Sequence, residues 1–134
     1  MPIKNRLAET HAEITGWRRH LHAHPELGFN EHKTSAFVAE KLTEIGVDKV
    51  ETEVAQTGVV AVLKGRTAAS GRVVGLRADM DALPLLEASG VDYVSQNSGV
   101  MHACGHDGHT SILLGAAQYL AETRKFDGTV VLMF

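Results

Sequence analysis

One cysteine, Cys104, stands in 134 residues, so no internal disulfide can form and the chain suits a reducing, cytoplasmic setting. No apolar run approaches the roughly 20 residues that a membrane-spanning helix needs. The opening Met1-Pro2-Ile3-Lys4-Asn5-Arg6 leads into polar sequence, so no secretory signal is expected there. An excess of one charge is missing as well. The 13 Lys and Arg face 16 Asp and Glu, and a net charge of −3 gives no electrostatic reason to bind nucleic acid or anionic lipid. Repeats, low-complexity tracts and linkers are absent. With 44% hydrophobic and 22% charged residues, the composition excludes wholesale disorder and points to about one globular domain. What the chain does have in number is histidine, eight in all.

Periodicity predicts the order α-α-β-β-β-loop-α-β. Ile3, Leu7, Ile14, Trp17 and Leu21 mark a helix over 3–23 that Pro25 should end. A second helix, about 31–45, carries Phe37, Val38, Leu42 and Ile45 on one face, with Asn30 as N-cap and Gly46 as a left-handed C-cap. Alternation at Val50, Thr52 and Val54, a β-branched run over 58–63 and an apolar run within 72–78 predict three strands. From Asp79 to about Asp107 no periodic element is expected, and a stretch that long more often serves function than packing. A helix over 108–124 follows, with Ile112, Leu113, Ala116, Ala117 and Leu120 on one side, then an apolar strand over 129–134. Together these give an α/β sheet with helices packed on it.

Three constellations carry chemistry. The densest is His102-Ala103-Cys104-Gly105-His106-Asp107-Gly108-His109. A thiolate and an imidazole two residues apart around a glycine can converge on Zn²⁺ or a related ion. They make only half of a four-ligand site. The second is Asp79-Met80-Asp81, whose carboxylates lie on one side of an extended chain at a strand end. They suit orienting a histidine, accepting a proton or binding a hard cation, with a plain turn as the even alternative. The third, His20, His22 and His24, reads first as cationic side chains beside a helix C-terminus, although His20 and His24 at i, i+4 are spaced to bridge a metal. His11 is expected at the core edge and His32 in solvent. A thiol nucleophile at Cys104 and an aspartyl phosphotransferase at Asp79 are the rival readings. A zinc deaminase is not, since His-x-Glu and Pro-Cys-x-x-Cys are both missing.

The three segments 17–28, 76–84 and 102–110 together resemble the peptidase M20 amidohydrolases, in the branch of hippurate hydrolases, N-acyl-amino-acid amidohydrolases and auxin-conjugate hydrolases. The resemblance implies a three-layer α/β/α, zinc-exopeptidase-like catalytic domain with a mixed sheet. Residues 1–134 would be its N-terminal portion, with a dimerisation domain and the rest of the catalytic domain elsewhere. It implies cleavage of the amide bond of N-acyl amino acids such as hippurate by a metal-activated water, with two divalent metals per site, Zn²⁺ or Mn²⁺, in a homodimer. Cys104 and His106 match metal ligands of that branch, and Asp81 matches an aspartate that orients a ligand. Asp79 stands where the wider superfamily has a metal-binding histidine, and with Asp107 and His109 it is assigned to support the ligands. The family's general-base glutamate follows a strand like 129–134 and has no counterpart in this chain. The alternative is a catalytically inactive piece with at most weak single-metal binding, its last strand left as an unpaired edge.

Overall fold

The computed structural model describes residues 3–134. Its elements are α1 (Ile3–Ala23), α2 (His32–Ile45), β1 (Lys49–Val54), β2 (Gly58–Lys64), β3 (Val73–Arg77), α3 (His106–Thr123) and β4 (Thr129–Met133). The strands form one sheet in the order β1-β2-β4-β3, with β1–β2 and β2–β4 antiparallel and β3–β4 parallel, so the sheet is mixed, as expected. The expected unpaired edge at 129–134 is overturned. β4 pairs with β2 on one side and β3 on the other, and Phe134 exchanges backbone bonds with Val59. The edges are β1 and β3, and Val73 and Val74 lie exposed on the latter.

Alternation on β2 and β4 sets the core. Ala61 pairs with Leu132 and Leu63 with Val130, which turns these buried side chains to one face. Trp17 of α1, Val38 and Leu42 of α2, and Leu113, Leu114 and Ala117 of α3 fill the space above them. Ile112, expected on the buried side of α3, is 68% exposed. The inward stripe runs instead through Leu113, Leu114 and Ala117, with α1 packed along α3. His11 is also exposed rather than at the core edge, because α1 turns Ile14 and Trp17 toward α3 and the core.

Helix ends follow the sequence closely, with one exception. Gly46 takes the left-handed C-cap conformation expected of it, at φ 82. Asn30 does not cap α2. Glu31 occupies that position without a side-chain bond, and the open amides of Lys33 and Thr34 donate instead to the carboxylate of Glu26 at 3.2 and 2.7 Å. A carboxylate at a helix N-terminus is favoured by the dipole as well as by the bonds.

Residues 79–105 hold no helix or strand, but they are fastened. Leu83 and Met101 exchange backbone bonds, Ala82 donates to the Glu26 carbonyl, and Gln96 donates to that of Ala23. This segment and α3 form the crossover between the parallel strands β3 and β4. The crossover brings the carboxyl end of β3 beside the first turn of α3. No helix among the described residues is long and apolar enough to cross a membrane.

Candidate metal centre

Asp79 follows β3 by two residues, and His106 and His109 stand three apart on the first turn of α3, where one helical face carries both. One ligating atom from each of the three lies within 4.8 Å of the others. His109 Nδ1 is 2.7 Å from Asp79 Oδ1, and His106 Nε2 is 3.4 Å from Asp79 Oδ2. On its far side, His106 Nδ1 lies 2.9 Å from both the carboxylate and the carbonyl oxygen of Asp81. Those oxygens only accept, so Nδ1 carries the proton, and Nε2 is the ring nitrogen turned toward Asp79. Thr110, buried, donates its hydroxyl to the Asp79 carbonyl at 2.9 Å and pins the strand end to the helix.

Partial burial pushes the Asp79 carboxyl up, but the hydrogen bond from His109 and the field of the two histidines outweigh it and hold it below the usual aspartate range. The donor set is therefore two imidazoles and an ionised carboxylate. It suits Zn²⁺, Mn²⁺ or a similar divalent ion, and the carboxylate behind His106 is the arrangement that fixes a metal-binding imidazole in one tautomer. A cleft of about 500 Å³ opens beside the group, with Asp79, Asp81, Arg77, Phe29 and Glu31 in its walls.

The expected site residues separate. His106, Asp79 and His109 come together, with Asp81 behind His106. Cys104 is exposed and lies outside the three-residue group. Asp107 is 1% exposed and points away from the cleft, its Oδ2 taking bonds from Arg18 at 3.0 Å and His22 at 2.8 Å. The His20 and His24 rings lie tilted at 4.5 Å between centroids, His24 Nδ1 donates to the His20 carbonyl, and His20 stacks on Phe37, so this pair is engaged in local packing.

His22, at the helix end as expected, is buried there rather than left beside the helix dipole in solvent, and its Nε2 lies 2.9 Å from Glu87. Arg18 lies beside the apolar stripe of α1 and within the 17–28 motif without a role expected of it, and nothing in the sequence marks Glu87. The available signal was the i, i+4 spacing of Arg18 and His22, which puts two donors on one helical face ready for a shared carboxylate. Beside them His102 is buried with both ring nitrogens unpartnered. Burial pushes its basicity down, only partly offset by Asp107.

The chain is similar to known proteins over most of its length. Residues 75–134, from β3 to the chain end, match Peptidase family M20/M25/M40. The chain is 49% identical over 122 residues to an N-acyl-L-amino acid amidohydrolase of Geobacillus stearothermophilus, a match covering 91% of this chain and 32% of that protein. It is 48% identical over 128 residues to a hippurate hydrolase of Campylobacter jejuni, covering 96% and 32%. The crystal structure of the Bacillus subtilis YXEP protein, described as a dinuclear metal-binding peptidase of the M20 family, superposes with a TM-score of 0.88 at 39% identity, covering 95% of this chain and 35% of that one. The chain thus spans about a third of the length of the curated relatives it matches. By sequence and by fold, the chain is similar to members of peptidase family M20/M25/M40, whose model matches residues 75–134.

Proposed function

We propose that this chain supplies metal-binding and cleft-forming residues of a metal-dependent amidohydrolase that cleaves the amide bond of N-acyl amino acids, hippurate-like compounds among them. The observation that carries the reading is the convergence of Asp79, His106 and His109 at the end of a parallel strand, on the edge of a cleft of the size small ligands occupy. The names of the relatives, an N-acyl amino acid amidohydrolase and a hippurate hydrolase, support the substrate class.

A divalent ion supplies, when bound, Lewis acidity toward a carbonyl oxygen and acidification of a water. The chain's own residues hold and orient. Asp79 and the two histidines hold the ion, and Asp81 keeps the His106 proton on Nδ1. Arg77, exposed on the cleft wall 3.8 Å from Asp79, offers a cation to the substrate carboxylate. Residues 1–134 act as the N-terminal portion of the catalytic domain, and the active protein is a homodimer with two metals per site. Cys104 is the additional ligand proposed on the family resemblance.

A second reading has its own observation. Among the described residues only one group of three ligands forms, which favours a chain that binds a single ion and does not turn over. Metal analysis of the purified chain together with a hippurate hydrolysis assay separates the two. Turnover that a chelator abolishes and Zn²⁺ or Mn²⁺ restores supports the amidohydrolase. One ion per chain without turnover supports the second reading, and no bound ion defeats both.

A further inference from the structure

A buried polar network joins α1 to the first turn of α3. His22, near the end of α1, is enclosed by two carboxylates, with Nδ1 2.8 Å from Asp107 Oδ2 and Nε2 2.9 Å from Glu87 Oε1. The side chains of His22, Asp107 and Glu87 are only 5%, 1% and 2% exposed. Carboxylate oxygens accept, so both ring nitrogens donate, and one imidazole ties together three segments distant in sequence. These are the end of α1, the 79–105 loop and the first turn of α3. Asp107 is the neighbour of His106 and sits two residues before His109. It also carries the backbone carbonyl that accepts from Ser111 at 2.8 Å, so its placement sets the first turn of the helix.

We propose that His22 is a positioning residue for the metal centre. Acting through Asp107, it fixes the rotation of the first turn of α3, so that His106 and His109 face Asp79 together. The inference rests on the metal-binding reading above. Buried and doubly bonded groups of this kind are worth far more for holding a geometry than surface pairs, because the alternative leaves a carboxylate buried without a donor. Of the two bonds, the one from Nδ1 to Asp107 bears on the ligands, whereas the one from Nε2 bears on the loop.

That division gives the test. An asparagine amide stands near the position of Nδ1 and a glutamine amide near that of Nε2, so H22N keeps the Asp107 bond and H22Q keeps the Glu87 bond. Zn²⁺ affinity of the whole chain is measured by competition with a chromophoric chelator, with circular dichroism confirming the fold. H22Q should weaken binding about 10- to 100-fold, the scale of lost outer support for metal-binding histidines, and H22N should retain most of the affinity. In the metal-free chain, long-range ¹H–¹⁵N spectra should show a single Nδ1-protonated His106 in H22N and a tautomer mixture in H22Q.

Equal losses in both variants, or affinity unchanged in a folded H22Q, would overturn the proposal. Arg18 is 41% exposed at the side chain and gives the other bond to Asp107 Oδ2. R18M is therefore the variant that decides should the His22 variants not fold. It should weaken Zn²⁺ binding in the same direction, and unchanged binding would overturn the proposal. If the unmodified chain binds no Zn²⁺, the metal reading itself falls and this inference with it.

Discussion

At the scale of single residues, the chemistry of the site turns on which atom of His106 is free. Asp81 takes the Nδ1 proton through two oxygens at 2.9 Å, and this directs Nε2 to Asp79. Replacing Asp81 with asparagine leaves the size of the side chain and the backbone carbonyl acceptor unchanged but removes the negative charge behind the ring. D81N should therefore weaken divalent metal binding about 10- to 100-fold while leaving the urea midpoint of the metal-free chain nearly unchanged. Calorimetric titration and urea unfolding check the two halves of that statement, and equal metal affinity in D81N would contradict it. Much of this was legible in the sequence, since Asp79, Asp81, His106 and His109 were all singled out from motif and strand-end position. The resemblance implies that Asp81 orients a ligand and that His106 is one, whereas Asp79 and His109 are expected only in support, because a spacing of two along the chain does not say which carboxylate meets which ring. His22 escaped for a related reason. Its neighbours Asp107 and Glu87 are 85 and 65 residues away, and no local pattern marks a contact of that separation.

Elements were the most readable level. Helical and strand periods placed all seven close to where they lie, because amphipathic stripes and β-branched runs answer to a local geometric repeat. The miss at the start of α2 has a tertiary cause. Glu26 reaches across from the preceding turn and takes the amides that a capping side chain at position 30 would have taken. The 79–105 segment lacks helix and strand as its sequence indicates, but no local pattern reveals its anchoring.

Glu87 is the main polar anchor of that loop. Burial of its carboxyl pushes it up, and the bonds from Ser89, His22 and the Ser95 amide outweigh this and hold it down to about 2, against an ordinary 4.5. The folded value lies below the unfolded one, so the contribution to stability is complete above pH 4.5 and is lost as the pH falls toward about 2. Urea unfolding of the unmodified chain and of E87Q should differ clearly at pH 6 and converge toward pH 3. A difference that stays constant with pH would show that the ionised carboxylate is not what holds the loop.

The arrangement of the whole molecule was the least legible level. The order of predicted elements indicated an α/β sheet with helices packed on it, and the motif order indicated the family. Strand order did not follow, because β4 enters between β2 and β3 only through the right choice among long-range pairings, and every apolar strand can satisfy its own pattern at an edge or in the middle. That insertion nevertheless builds the site. It makes β3 and β4 parallel and places the 79–105 loop and α3 in the crossover, with the carboxyl end of β3 against the start of α3. The fold thus brings Asp79 to His106 and His109 across roughly 30 residues of chain, an arrangement favoured wherever ligands bind at strand ends of such sheets.

The central claim is that these three residues are the ones that hold the ion. Crystals of the chain grown with Zn²⁺ and measured on both sides of the zinc absorption edge test it most directly. The account predicts an anomalous peak within about 2.0–2.2 Å of ligand atoms from Asp79, His106 and His109, the usual zinc–nitrogen and zinc–oxygen range. A peak bound through Cys104 and His106 with Asp79 and His109 both outside that range, or no peak in the cleft at all, would contradict it.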